Sequence, residues 1–143
     1  APGDNAEPVG HKPADFPVDL WQKWASPVWF DINQTAVLNN KAEANKWIGD
    51  PLFLDDAKHE DDERHLCPLQ LPLIERALTM WSNPGDVVLS PFLGIGSEGV
   101  VSVKRGRKFI GCELKPSYWS QAVRALKAAE RDSVDLFALA DGM

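Results

Sequence analysis

The second half of the chain alternates short apolar runs with amphipathic segments. The run LPLIERALTMW (71–81) repeats apolar residues three and four positions apart, which predicts a helix. VVLS (87–90) predicts a short buried strand, SEGVVSVKRG (97–106) a second helix and RKFIGCEL (107–114) the next strand. Pro116 suits the first turn of a last helix. Strands separated by helices predict an α/β fold with a parallel sheet and flanking helices.

Helical spacing also predicts which side chains of the first and last of these helices are buried. They are Leu71, Ile74, Leu78, Trp81, Trp119, Val123 and Leu126. Nearer the beginning of the chain, VDLWQKWASPVWFDI (18–32) concentrates large aromatic residues. Because such side chains bury much area, this cluster predicts a core anchor.

Length and composition predict one domain, residues 1–143, divided into four parts. Residues 1–38 form an extended segment with the aromatic cluster, and residues 39–64 form an acidic, mobile connection. The α/β core occupies residues 65–131, and residues 132–143 form a tail.

Charge and cysteine content disfavour several classes of function. Fifteen basic and twenty-one acidic residues give a net charge of −6, so the chain alone is predicted to bind DNA poorly. The two cysteines and three histidines have no metal-ligand spacing, which predicts no metal site and a reducing cytoplasm. No apolar run approaches the roughly 20 residues of a membrane span, so no membrane is expected.

A glycine-rich turn separates the first predicted strand from the second helix. Gly94, Gly96 and Gly99 form the pattern GxGxxG in the strand–turn–helix context that the motif requires. Glu113 follows Gly94 by 19 residues, at the end of the next strand. A carboxylate there can accept hydrogen bonds from both hydroxyls of a ribose. The pattern therefore predicts a cradle for a nucleotide-like cofactor, although a glycine turn that only lets helix pack on strand is the alternative.

The glycines alone do not choose between NAD and S-adenosylmethionine. NAD would place its pyrophosphate at the helix N-terminus, where the acidic Glu98 would oppose it. S-adenosylmethionine has no phosphate and needs partners for its amino and carboxylate groups from other segments. Glu98 therefore favours S-adenosylmethionine.

Three motifs occur in order: HLCPLQLPLIERAL (65–78), NPGDVVLSPFLGIGSEGV (83–100) and GRKFIGCELKPSYWSQAVRAL (106–126). Together they resemble the C-terminal, cofactor-binding part of phage and bacterial DNA amino-methyltransferases, which methylate adenine N6 or cytosine N4. The resemblance covers about residues 26–126. It implies a partial Rossmann-like, S-adenosylmethionine-dependent methyltransferase fold in the cytoplasm of a bacterial or phage-infected cell.

The resemblance also implies a set of residues that bind S-adenosylmethionine. They are His65, Pro68, Gln70, Ser90, Phe92, Gly94, Gly96, Ser97, Glu113 and Leu114. Phe92 and the glycines would form the cradle, and Glu113 would hold the ribose hydroxyls with Leu114 beside the adenine. The segment around His65 would close over the methionine end. Ser90 stands where most of the family has Asp, so we expect weaker cofactor binding rather than none.

The family's catalytic turn, Asp/Ser/Asn-Pro-Pro-aromatic, has one candidate in this chain. It is SPVW, with Ser26, Pro27 and Trp29, which departs from the pattern at its third position. Only 35 residues separate Trp29 from His65, little room for a target-recognition region. The resemblance therefore favours a catalytic turn upstream of Ala1, which the absence of an initial Met and the net acidity both fit.

Several partners are expected from this assignment. DNA would bind through the complete enzyme, with an upstream catalytic and target-recognition region supplied outside these residues. An incomplete sheet would expose an edge, through which a homodimer is possible.

The leading hypothesis is thus the cofactor-binding portion of a DNA methyltransferase that acts on an exocyclic amine, adenine N6 ahead of cytosine N4. A fragment of an NAD-dependent oxidoreductase is one alternative. A non-catalytic remnant domain with an empty cradle is the other.

Overall fold

The computed structural model describes residues 17–38 and 69–140, with the side chains of 132–140 excepted. Two compact units divide the chain, Ala1–Phe30 and Asp31–Met143. The predicted acidic connection, 39–64, lies outside the described residues. No helix in the described ranges is long and apolar enough to cross a membrane.

The first unit contains one short helix, α1 (Val18–Trp24), which buries none of its own residues. The indole nitrogen of Trp29 donates a hydrogen bond to the carbonyl of Trp24 at 2.9 Å. The predicted core anchor is wrong for Phe30 and Trp21, which are 95% and 40% exposed. A helix of fewer than two turns offers too little surface to enclose a cluster of large aromatic rings.

The second unit follows the predicted order of elements. These are α2 (Leu71–Trp81), β1 (Val87–Ser90), α3 (Ser97–Lys104), β2 (Lys108–Gly111) and α4 (Pro116–Ala140). The two strands are parallel, with Val87 opposite Lys108 and Ser90 opposite Gly111. The predicted α/β class with a parallel sheet and flanking helices is confirmed.

Residues just before the gap are held against the start of α2. Val37 forms an antiparallel bridge with Gln70, the N-cap residue of α2, and the Leu71 amide donates to the Ala36 carbonyl at 2.8 Å. Leu38 is fully buried as a result. An ion pair between Asp31 and Arg76, at 2.8 Å, adds a second link to α2.

The core forms where α2, α3 and α4 meet over one face of the sheet. Its buried members are Leu38, Leu71, Ile74, Leu78, Ile95, Val100, Val101, Ala125, Ala128 and Ala129. The contribution of α4 consists of alanines, so the backbones of α3 and α4 approach closely.

This small-residue face corrects two predictions. Trp119 is 53% exposed because Ala122 and its alanine neighbours, rather than an indole, face the core. Trp81, the last residue of α2, is 75% exposed, and the neighbouring Met80 is buried instead. Val123 and Leu126 are only partly buried.

The last helix is longer than predicted. It begins at Pro116, as expected, but continues to Ala140, through most of the predicted tail 132–143. No Gly or Pro occurs between Arg131 and Ala140 to end it.

Arg107 joins the turn after α3 to the end of α2. Its guanidinium donates to the carbonyl of Ser82 at 2.8 Å, to that of Leu78 at 3.4 Å and to the Ser82 hydroxyl at 3.2 Å. Burial lowers the pKa of Arg107, while nearby Asp86 raises it and Arg105 lowers it. An arginine remains charged at neutral pH even so, and it thus caps carbonyls at the C-terminal end of α2.

The face of the sheet opposite α3 is apolar and open. Val87, Leu89 and Ile110 are 59%, 65% and 56% exposed there, whereas Val88 is packed against the core on the other face. Parallel sheets are normally covered on both faces. The described residues therefore leave an apolar surface that a further layer would cover.

Gly99, the third glycine of the motif, permits close packing within this unit. A Cβ at this position would lie 2.6 Å from Leu126 Cδ2 and 2.8 Å from Phe109 Cε1. The glycine thus lets α3 approach both β2 and α4.

We expect Gly99→Ala to destabilise the fold by about 1–2 kcal/mol, because overpacking outweighs the gain in helix propensity. Urea unfolding measures this loss. In a Leu126→Ala background the same substitution should cost less, since the nearest clashing atom is gone. An equal loss in both backgrounds would contradict the packing explanation.

Candidate cofactor site

Seven of the residues predicted to bind a cofactor lie along the carboxyl ends of the two strands. They are Ser90, Phe92, Gly94, Gly96, Ser97, Glu113 and Leu114. Gln70 lies at the start of α2, opposite Val37 in the antiparallel bridge. His65 and Pro68 lie outside the described residues.

The turn between β1 and α3 depends on its glycines. Gly94 and Gly96 have φ values of +57° and +98°, which residues with a Cβ rarely adopt. A Cβ on Gly96 would also lie 3.1 Å from the Cα of Ala122 in α4. The Leu93 amide donates to the Cys112 carbonyl at 2.9 Å, so this turn is bonded directly to the chain that follows β2.

Glu113 joins the two loops that follow the strands. Its Oε2 accepts a hydrogen bond from the Gly94 amide at 2.7 Å, and its Oε1 accepts one from the Lys115 amide at 2.8 Å. Since a carboxylate offers about four acceptor positions, each oxygen can accept a further bond. The carboxylate thus holds the cradle and can still receive the hydroxyls of a ribose.

Two apolar side chains beside this carboxylate are exposed. Leu114, next to Glu113, is 100% exposed, and Phe92, in the glycine turn, is 87% exposed. Apolar groups next to a polar anchor are typical of ligand sites. The carboxylate can bind a ribose, and the apolar groups can pack on an aromatic base. The site therefore fits a cofactor that contains adenosine.

The two serines of the site are buried. Ser90 is 8% exposed and Ser97, the first residue of α3, is 4% exposed. The Ser90 carbonyl accepts the Cys112 amide at 2.9 Å, which fixes the end of β1. A hydroxyl therefore occupies a buried position where most of the resembled family has a carboxylate.

Sequence reasoning missed two residues next to the site. The ammonium of Lys115 lies 4.4 Å from the centroid of the Tyr118 ring, above the first turn of α4. Gln121 is 3% exposed, and its amide nitrogen has no hydrogen-bond partner in the described part of the chain. Lys115 could have been noticed in the sequence because it follows Glu113 by two positions. The burial of the Gln121 amide could not, because it depends on tertiary packing.

The SPVW residues form a local turn in the first unit. The Ser26 hydroxyl donates to the Val28 carbonyl at 2.9 Å and accepts from the Val28 amide at 3.4 Å. Pro27 is exposed and Trp29 is partly buried. Their catalytic assignment stays a prediction. Among the described residues, no cluster of His, Cys, Asp or Glu could hold a metal ion.

Residues 7–124 match the DNA methylase family. The chain belongs to this family. The resemblance predicted from the three motifs is therefore confirmed, and the match covers both the glycine turn and Glu113.

Relatives of this DNA methylase chain include two characterised enzymes. It is 41% identical over 76 residues to the DNA adenine methyltransferase YhdJ of Escherichia coli, 52% of this chain and 26% of that protein. It is 42% identical over 66 residues to the type II methyltransferase M1.MboII of Moraxella bovis, 46% of this chain and 25% of that protein. The chain spans about a quarter of the length of these curated relatives.

A solved structure shares the fold over nearly the whole chain. TTHA0409, a candidate DNA modification methylase from Thermus thermophilus complexed with S-adenosyl-L-methionine, is 25% identical with a TM-score of 0.54. The match covers 90% of this chain and 41% of that chain.

We expect Glu113→Ala to destabilise the chain by about 2 kcal/mol, because two backbone amides lose a charged acceptor. Glu113→Gln should cost less, since one acceptor oxygen remains. Urea unfolding gives both losses, and amide hydrogen exchange at Gly94 and Lys115 should accelerate in the alanine variant. Glu130→Ala, which removes an exposed carboxylate of α4, is the control and should stay within about 0.5 kcal/mol of the parent. Unchanged exchange at both amides would contradict the bonding described for Glu113.

Proposed function

We propose that this chain is the cofactor-binding portion of an S-adenosylmethionine-dependent DNA methyltransferase that methylates an exocyclic amine. The observation that carries the proposal is the Glu113 carboxylate, bonded to the Gly94 and Lys115 amides beside exposed Phe92 and Leu114. Family membership and the S-adenosylmethionine complex of the structural neighbour support this cofactor.

Each residue of the cradle has a defined task in this proposal. Glu113 accepts the ribose hydroxyls, while Phe92 and Leu114 pack on the adenine and exclude water from it. Gly94 and Gly96 permit the tight turn that presents its backbone to the ligand, because residues with a Cβ rarely adopt the positive φ found at both positions. The cofactor supplies a methyl group activated by the adjacent sulfonium.

The remaining predicted residues would serve the methionine end. The hydroxyls of Ser90 and Ser97 can donate to or accept from its carboxylate and amino groups. His65, Pro68 and Gln70 would close over it from the segment that leads into α2.

The methyl acceptor would be a base turned out of the DNA duplex. The amine of adenine or cytosine is a weak nucleophile, so acceptors on the enzyme must stabilise the positive charge that develops on nitrogen. We propose an upstream region as the source of these acceptors, and adenine N6 as the target ahead of cytosine N4. The relative named as a DNA adenine methyltransferase supports adenine.

The open face of the sheet supports the upstream region. Val87, Leu89 and Ile110 form an exposed apolar surface of the kind that a domain normally covers with another layer. Pairing of two copies through a sheet edge is the alternative use of this incomplete sheet.

The oxidoreductase alternative is weaker on electrostatic grounds. Glu98 lies in the first turn of α3, where a dinucleotide would place its pyrophosphate. A remnant domain with an empty cradle would require that Ser90 abolishes cofactor binding.

Thermal unfolding with S-adenosylmethionine, its demethylated product or NAD tests the cofactor. At about a hundred times its dissociation constant, a bound ligand adds ~2.7 kcal/mol and raises the melting temperature by several degrees. We expect this shift with the first two ligands only. A shift with NAD alone would replace the proposal by the oxidoreductase, and no shift with any ligand would favour the remnant domain.

Phe92→Ala and Leu114→Ala should each raise the dissociation constant for S-adenosylmethionine about tenfold, since apolar contact with the adenine is lost. Because both side chains are exposed, the melting temperature of the free chain should hardly change. Calorimetric titration measures the affinity. Phe30→Ala, which removes another exposed phenylalanine, should leave it unaltered. Equal affinity of all three variants would remove both residues from the site.

Ser90→Asp should tighten S-adenosylmethionine binding about tenfold by restoring a charged partner at the cradle. The free chain should become less stable by about 1–3 kcal/mol, because the new carboxylate is buried without the ligand. Calorimetric titration and urea unfolding measure the two effects. Ser90→Asn, similar in shape but uncharged, should not gain affinity. Equal gains in both variants would show that shape rather than charge limits binding.

A further inference from the structure

Charge is distributed unevenly along this acidic chain. Residues 104–131 contain eight basic and two acidic side chains, a formal charge of +6, although the whole chain carries −6. A concentration of basic residues within one structural region is the electrostatic feature that marks polyanion-binding surfaces.

Part of this positive charge serves the fold. Arg105 forms an ion pair with Glu75, Arg107 caps the carbonyls of α2, and Lys115 lies over Tyr118. These groups stabilise contacts within the second unit.

Four others form an exposed surface on β2 and α4. Lys108 begins β2, while Arg124, Lys127 and Arg131 are exposed residues of α4. Positions i, i+3 and i+7 lie on the same side of a helix. We call these four residues the basic stripe.

Two members of the stripe line an open groove of about 400 Å³. Lys108 and Lys127 line it together with the apolar side chains of Phe109 and Leu126, and Glu130 contributes one negative charge. The groove adjoins the first residues of β2, whereas Glu113 follows the last, so the stripe lies toward the opposite end of the strand from the cradle.

We propose that the basic stripe contacts the phosphate backbone of duplex DNA, away from the cofactor cradle. Arg124 and Arg131 are separated by about 10 Å along α4, and each DNA strand places a phosphate every ~3.4 Å along its axis. The stripe can therefore span about three phosphates. The aliphatic stems of Lys108 and Lys127 can rest on the groove while their ammonium groups reach outward.

The inference rests on the proposed function only for the identity of the polyanion, which would be the DNA substrate. Phosphate contacts of this kind add affinity and orient the duplex without reading its sequence. Through these contacts a chain of net negative charge would bind its DNA substrate at one positively charged surface.

The test measures binding of the chain to a fluorescent duplex by anisotropy, between about 50 and 200 mM salt. The stripe variant combines Lys108→Gln, Lys127→Gln and Arg131→Gln. The control variant combines Lys23→Gln, Lys41→Gln and Lys46→Gln, which makes the same change in net charge outside the stripe. Thermal unfolding with S-adenosylmethionine follows the fold and the cradle of each variant.

We expect the stripe variant to bind at least about tenfold more weakly and to lose up to about 3 units of the slope of log K against log salt. The control should change by less than about twofold, and Glu130→Gln should bind more tightly because a repulsive charge is removed. Equal weakening of both triple variants would overturn the proposal.

Two further outcomes separate this inference from the proposed function. If S-adenosylmethionine stabilises the chain but no duplex binds, the stripe is overturned and the cofactor assignment stands. If the duplex binds through the stripe without cofactor stabilisation, the stripe stands and the cofactor assignment fails. If the stripe binds poly-glutamate in preference to the duplex, the proposal that its ligand is DNA is overturned, and an acidic protein is the partner instead.

Discussion

The two hydrogen bonds accepted by the Glu113 carboxylate are the constraint on which the site depends. They join the Gly94 amide, in the turn after β1, to the Lys115 amide, at the start of α4. The backbone bond between Leu93 and Cys112 joins the two loops close to the strands, and the charged acceptor of Glu113 fixes their separation farther along. A ligand that binds the same carboxylate meets loops that are already ordered, which reduces the entropy lost on binding.

Much of this unit could be predicted from local pattern. The apolar spacing of residues 71–81, the β-branched run 87–90 and Pro116 placed α2, β1 and the start of α4, because each signal lies within its own element. The spacing of Gly94 and Glu113 likewise predicted a cradle, since a strand–turn–helix–strand unit brings the ends of its two parallel strands together.

What the sequence could not supply depends on the shape of neighbouring elements. Helical spacing assigned Trp119 to the core, but the residues of α4 that are buried in the core cluster are alanines. The capping of α2 by Arg107 required a contact across 25 residues of chain. Net charge likewise averaged over regions of opposite sign, so the basic stripe became visible only when β2 and α4 were placed side by side.

The main contacts of the second unit join elements that are separated in sequence by only one other element: α2 with α3, β1 with β2 and α3 with α4. Chains dominated by such local contacts close small loops and fold quickly. The cradle can therefore form from contacts between segments that are close together in the sequence.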